Sequence, residues 1–215
     1  SMSILTDISE NLQKGKAKIV KELVQQAIDE GIPAQTILTE GLLKGMDVVG
    51  EKFKNNEIFV PEVLVAARAM NMGVALLKPL LAAQGVKASG KVCIGTVQGD
   101  LHDIGKNLVA LMMRSANLEV IDLGSNVDGA KFIDAINKYN PDVIGLSALL
   151  TTTMNEQGHI IQQLTDAGVR DKVKVMVGGA PVTQMWADKI GADAFTADAA
   201  EAAQWAKAYA ASKGA

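Results

Sequence analysis

The chain has 215 residues, 21 Lys+Arg against 24 Asp+Glu, a formal net charge of −3, 48% hydrophobic residues and 21% charged ones. That balance is too apolar for a disordered chain and too well charged for a membrane bundle, and its slight acidity argues against a nucleic-acid groove, which needs a basic surface. No run of about 18 uncharged apolar residues occurs, so no membrane span is expected; the N-terminus lacks a secretory signal, and a single cysteine, Cys93, excludes an internal disulfide framework.

Together these features predict a cytoplasmic protein without membrane or nucleic-acid partners. Cysteine and histidine are also too scarce for an all-protein zinc or iron–sulfur site.

Residues 2–84 read as helices only. Ile19, Val20, Leu23, Val24 and Ala27 follow the three-and-four spacing of a buried stripe. Gly31 stops that helix, and Pro33 suits the first turn of the next. Ile37, Leu38, Leu42, Met46 and Val49 carry a second stripe toward Phe53. Residues 54–57 form a polar break. Pro61 opens a further run with Val65, Met72, Leu76 and Leu80 among its apolar positions. The count is roughly four helices, enough for a small bundle.

Residues 85–90 read as a linker. Beyond it the pattern changes. Short apolar runs at 91–97, 118–123, 142–148, 173–177 and 193–195 alternate with helix-length segments. Such alternation predicts right-handed crossovers and a parallel sheet with helices on both faces.

In an open α/β sheet, ligands bind beyond the carboxyl ends of the strands, near the topological switch point. The unusual residues lie there. Residues 98–107 follow the first run and hold Asp100, His102, Asp103 and Gly105. Residues 147–153 follow the third and hold Ser147, Leu149, Thr151, Thr152 and Thr153. Gly178 and Gly179 follow the fourth. With strand order 2-1-3-4-5, these segments converge on one crevice.

Each segment has two readings at this point. His102 could ligate a metal through one ring nitrogen while the other donates to Asp100 or Asp103, or sit idle in a solvated loop. The hydroxyls could line a ligand or cap a helix. The glycines could admit a ligand or form a plain turn. No other metal ligand lies near in sequence, so a metal here would bring its other ligands with it, as a tetrapyrrole-like macrocycle does. Neither Gly-x-Gly-x-x-Gly nor a P-loop is present.

The motif Asp100-x-His102-x-x-Gly105, the Ser147-x-Leu149 segment and Gly178-Gly179, in order and behind a helical half, resemble the cobalamin-binding proteins. The similarity is closest to corrinoid proteins of methylotrophic methyltransferase systems and to the cobalamin-binding region of methionine synthase, and it covers essentially the whole chain. It implies an α/β fold: an N-terminal four-helix bundle cap (2–84), the linker, and a Rossmann-like (flavodoxin-like) five-stranded parallel-sheet domain (91–215).

The resemblance further implies that cobalamin binds base-off and histidine-on, with His102 as the lower cobalt ligand and Asp100 holding its other nitrogen. The cofactor's nucleotide tail would occupy a slot lined by Ser147, Leu149, Thr151, Gly178 and Gly179, with residues 195–197 closing it. Thr153 stands where methionine synthase has the serine of its ligand triad. Phe53 and Val60 would shield the upper face, Val60 replacing a leucine. Methionines 46, 70 and 72 read as core rather than corrin contacts.

The implied function is a methyl carrier cycling between Co(I) and methyl-Co(III), with no catalytic residues of its own and not a complete enzyme alone. Its implied partners are a substrate:corrinoid methyltransferase, a methylcorrinoid:tetrahydrofolate or coenzyme M methyltransferase, and a reductive activator. The alternatives are a mutase-type cobalamin-binding subunit and a cobalamin-binding regulatory module. The latter normally carries a helix-turn-helix, for which the sequence before the cap has no space. A flavodoxin-like domain without a corrin is a further rival. Cys93, His159, Trp186 and Trp205 read as structural or surface residues.

Overall fold

The computed structural model describes residues 2–214. It divides into two compact units: Ser1–Ala88 with Ser115–Asn117, and Ser89–Arg114 with Leu118–Ala215.

The first unit is helical: α1 (Met2–Gln13), α2 (Ala17–Asp29), a short α3 (Ala34–Thr36) running through a π-helical stretch (Ile37–Leu43) into α4 (Lys44–Lys54), and α5 (Val60–Ala83). Val20, Val24 and Ala27 form the buried stripe of α2. Ile19 does not belong to it. It is 40% exposed, because a stripe this narrow cannot turn Ile19 and Val20 inward together. α5 starts where Pro61 suits a first turn, and the Glu62 carboxylate accepts the Phe59 N–H at 3.0 Å. Glycines let the helices approach closely: a Cβ on Gly73 would lie 2.8 Å from Leu42.

α5 is the one helix among the described residues long and apolar enough to cross a membrane by length and composition; Glu62, Arg68 and Lys78 interrupt it, so it holds no uncharged apolar run of that length. Its face of Val63, Ala66, Met70, Gly73 and Leu77 is buried within the first unit. Met46 and Met70 lie in this core, while Val65 and Leu80 are substantially exposed.

The second unit is a parallel sheet of β1 (Gly90–Val97), β2 (Leu118–Val127), β3 (Val143–Ser147), β4 (Lys174–Gly178) and β5 (Ala194–Phe195), in the order β2-β1-β3-β4-β5. This is the doubly wound order expected from the alternating pattern. The helices are α6 (Ile104–Ser115), α7 (Gly129–Tyr139), α8 (Thr151–Asp166), α9 (Gln184–Ile190) and α10 (Ala199–Gly214). One core cluster joins Cys93, Ile144, Leu146, Val175 and Val177 of the sheet to Phe132, Ile136, Ile160 and Leu164 of the helices. The central strands are buried on both faces, which is why they read as near-continuous apolar runs. Burial pushes the Cys93 thiol up to about 11, against a smaller downward pull from Lys91, so it behaves as a small hydrophobe.

Candidate functional site

The carboxyl ends of β1, β3 and β4 lie in one register row, with Thr96 beside Ser147 and Ser147 beside Gly178. Beyond β1 the chain turns at Gly99, whose φ of +83° suits glycine. Asn126, at the end of β2, braces this turn. Its Oδ1 accepts the Gly99 N–H at 2.8 Å, and its own N–H donates to the Asp100 carbonyl at 3.0 Å.

Asp100 is fully buried. A carboxylate there needs partners for both oxygens. Oδ1 accepts the His102 N–H at 3.0 Å and faces His102 Nδ1 at 2.8 Å. Oδ2 accepts the Leu149 N–H at 2.8 Å and the Thr153 hydroxyl at 2.7 Å. Burial by itself would raise the carboxyl's pKa. The Thr153 hydroxyl, the Leu149 and His102 amides and the His102 ring outweigh it, and hold the group well below the usual carboxylate range.

Asp100 is therefore an ionised, acceptor-only group. That fixes the tautomer of a neutral His102: the proton is on Nδ1, and Nε2 keeps a lone pair. The His102 side chain is 52% exposed, and among the described residues no group bonds to Nε2. Thr153 Oγ1 also lies 3.1 Å from the Leu150 carbonyl, but a hydroxyl has one proton, and the shorter contact to the charge takes it.

The other hydroxyls differ. α8 is capped by Leu150 with no side-chain cap bond, so the Ser/Thr row does not serve as a helix cap. Ser147 is half-buried at the end of β3, and Thr151 is exposed on the first turn of α8.

The glycines divide in the same way. Gly179 is required by the chain itself. Its φ is +127°, and a Cβ there would sit 1.7 Å from the Ala148 carbonyl oxygen. A Cβ on Gly178 would meet only Thr196, at 3.4 Å, and one on Gly105 would meet nothing within 4 Å. Gly105 lies in the first turn of α6 with no positive φ. Neither conformation nor packing of the chain explains a glycine at that position.

Several large apolar side chains near His102 are exposed, beside the polar Asp103 and Thr151. Leu101 is 73% exposed and Ile104 85%, and Leu149 and Leu150 are exposed as well. Among the described residues no cluster of three or more His, Cys, Asp or Glu side chains could hold a metal. The site thus offers one imidazole lone pair, exposed apolar side chains and open space at Gly105. A metal carried in a broad apolar macrocycle fits that donor set.

Four supporting residues escaped the sequence reading. Thr96, fully buried, donates its hydroxyl to the His102 carbonyl at 2.9 Å. Gln157, also fully buried, donates to the Leu146 carbonyl at 2.9 Å and the Gly178 carbonyl at 3.2 Å, and its Oε1 accepts Trp186 Nε1–H at 3.0 Å. Lys106 is 3% exposed and bonds Asp122 at 2.6 Å and Asn107 at 2.7 Å. Asn126 is the fourth. Only Thr96 gives a sequence signal, as a polar residue within the apolar run of the first strand.

Phe53, half-buried on α4, and Val60, exposed at the start of α5, belong to the first unit. His159 is exposed, 3.3 Å from Glu156. Trp205 stacks on Tyr209 with ring centroids 5.8 Å apart.

Residues 90–205 match a family described as B12 binding domain, and residues 4–78 match a second family with the same description. A corrinoid protein of Desulfitobacterium hafniense is 42% identical over 208 residues, covering 95% of this chain and 96% of its own. The dimethylamine corrinoid protein of Methanosarcina barkeri is 46% identical over 206 residues, with the same coverage. Among solved structures, the methanol:cobalamin methyltransferase complex of Methanosarcina barkeri aligns with a TM-score of 0.84 at 30% identity, over 97% of this chain and 80% of that one.

Proposed function

We propose the function from one premise: this chain belongs to the family of B12-binding corrinoid proteins. It is a methyl carrier that binds a corrinoid cofactor. On our reading His102 Nε2 is the lower ligand of the cobalt. One observation carries this: a buried, ionised Asp100 holds the Nδ1 proton and leaves the Nε2 lone pair free on a half-exposed ring.

When bound, the corrinoid supplies a cobalt that takes up a methyl group from one partner and yields it to another. The remaining work falls to the chain. Asp100 fixes the orientation of the imidazole and stabilises a proton on it whenever Nε2 is released. Thr153 keeps Asp100 ionised, in the place of a serine. Leu101, Ile104, Leu149 and Leu150 present apolar surface that excludes water from the site. Ser147, Leu149, Thr151, Gly178 and Gly179 line the slot for the cofactor's tail, and Gly105 leaves room for close approach. Within the first unit, Phe53 and Val60 are the residues this reading assigns to shielding a bound methyl group.

The partners in this reading are a substrate:corrinoid methyltransferase, a methylcorrinoid:tetrahydrofolate or coenzyme M methyltransferase, and a reductive activator. The names of the relatives suggest small methylated amines or methanol as donors. A cytoplasmic location belongs to the same reading, and the reduced, buried Cys93 suits it.

The test is reconstitution. Purified protein is mixed with hydroxocobalamin and desalted, and its visible spectrum is recorded beside that of His102→Ala. The expected result is near-stoichiometric retention with a histidine-ligated spectrum that the variant loses. An unchanged spectrum in the variant would refute the ligand assignment.

A further inference from the structure

We propose that Thr96 is a positioning residue for His102: its hydroxyl clamps the main chain of the ligand residue, so that only the imidazole moves. The inference rests on the reading of His102 as the cobalt ligand, and it deepens that reading by naming what returns the ring to one place.

The argument begins with where the loop is held. Residues 101–103 belong to no helix or strand, and Leu101 and Asp103 on either side of His102 are exposed. Such a segment has little packing to fix it. His102 is nevertheless tied at both ends of its own main chain. Its N–H donates to Asp100 Oδ1 at 3.0 Å. Its carbonyl accepts the Thr96 hydroxyl at 2.9 Å. The ring hangs from one tether, Nδ1 to the same Asp100 oxygen, at 2.8 Å.

Thr96 is well placed to be an anchor. It is fully buried in β1, between β2 and β3 in the middle of the sheet, and its Cα partner is Ser147. Its hydroxyl proton leaves the sheet for the main chain of the loop residue that carries the imidazole. A valine would fill the same space in a strand at least as well. The hydroxyl is therefore not explained by packing or strand propensity. A half-exposed ring on an unclamped loop would sample many positions, and each return to a fixed metal would cost ordering entropy. The clamp confines that motion to the side-chain torsions.

Asn126, in β2, braces the preceding turn: its side chain accepts the Gly99 N–H and its main-chain N–H donates to the Asp100 carbonyl, and neither bond reaches His102.

The experiment uses the full chain loaded with hydroxocobalamin and compares wild type, Thr96→Val, Thr96→Ser and His102→Ala. The readouts are the histidine-ligated fraction in the visible spectrum, the rate of corrinoid loss on dilution, thermal unfolding, and amide hydrogen exchange at His102 and Asp103 in the cofactor-free protein. Thr96→Val should keep the wild-type unfolding temperature or raise it. It should lower the ratio of ligated to unligated histidine roughly three- to tenfold, the range a single hydrogen bond gives, and speed corrinoid loss and His102 exchange. Thr96→Ser should restore all three.

Two results overturn the proposal. One is a wild-type ligated fraction in Thr96→Val while His102→Ala loses ligation. The other is equal loss in Thr96→Val and Thr96→Ser, which would assign the effect to shape rather than the hydroxyl. If His102→Ala keeps the wild-type spectrum, the ligand reading itself has failed. The exchange data then decide the clamp: unchanged His102 exchange in Thr96→Val refutes it.

Discussion

The two units handle buried polarity differently. Among the described residues, the first buries two polar side chains, Ser9 and Ser115. The second buries Thr96, Asp100, Lys106, Thr153, Gln157 and Thr196. Burying a polar group costs free energy unless every atom finds a partner. A chain that needed only a stable second core would use apolar residues there. Thr96, Asp100, Thr153, Gln157 and Thr196 instead gather where β1, β3, β4 and β5 end. The helical unit is organised for packing, whereas the sheet unit accepts buried polar groups, of which Thr96, Asp100 and Thr153 are bonded to His102 directly or through Asp100.

Substitutions sharpen that contrast, and Gly179→Ala should have the largest effect. Its Cβ would collide with the Ala148 carbonyl oxygen, and its φ of +127° is unsuited to alanine. A loss of roughly 4 kcal/mol or more is expected from backbone strain and overpacking together. Denaturant titration checks this, and a loss under about 1 kcal/mol would show that the loop relaxes freely.

Asp122→Asn comes next. Lys106 is 3% exposed and would keep its charge without a counter-ion. Breaking a fully buried pair costs ~3–5 kcal/mol; because Asp122 is 29% exposed, about 2 kcal/mol is expected. The pH dependence follows from the sign of the shift. Burial alone would raise the Asp122 pKa, but the Lys106 hydrogen bond and the Gly124 amide lower it overall. Its stabilisation is thus fully present above the unfolded value of about 3.9 and fades as pH falls through the lower folded value. The acid limb of stability against pH should be flatter in Asp122→Asn. An unchanged limb would remove this pair from the account.

Thr153→Val should cost about 1.5 kcal/mol, the lower end for a hydrogen bond to a charged group. It should also bring the Asp100 pKa up toward its usual value, since the Thr153 hydroxyl is the strongest of the groups that lower it. Thr153→Ser should recover both. Stability curves near pH 3 of the two variants make the comparison, and identical curves would deny Thr153 its part.

Gly105→Ala should have the smallest effect on stability, and is diagnostic for that reason. The position is helical and open, so alanine should be neutral or stabilising by roughly 0.5 kcal/mol. If the open space receives the cofactor, corrinoid retention should nevertheless fall. Unchanged retention would show that the space is incidental.

Much of the fold was legible in the sequence. The switch from three-and-four spacing to short apolar runs marks the change from helices to a parallel sheet; crossover handedness narrows the strand order without fixing it, and the order 2-1-3-4-5 entered the reading as a condition that the structure meets. Ile19 was misread because adjacent apolar residues on a helix do not reveal which one turns inward.

The site was legible in part. Spacing left both Asp100 and Asp103 as partners for His102, and only the resemblance chose Asp100, which the structure places against the ring. Thr153 lies 53 positions from Asp100, and only the resemblance to methionine synthase paired them. Thr96, Gln157, Lys106 and Asn126 act through contacts that the strand register and helix placement create. Apart from Thr96, a polar residue in an apolar run, nothing in their local sequence separates them from ordinary strand or helix positions.

The central claim is that a nitrogen of His102 ligates the cobalt. Electron paramagnetic resonance of the Co(II)-loaded protein, prepared with natural-abundance or with nitrogen-15-labelled histidine, tests it most directly. Nitrogen-14 on the axial position splits each cobalt line into a triplet, and nitrogen-15 into a doublet. The account predicts that labelling the protein converts triplets to doublets, and that His102→Ala loses the conversion. Triplets that persist in the labelled protein would assign the axial nitrogen to the cofactor's own base and contradict the account.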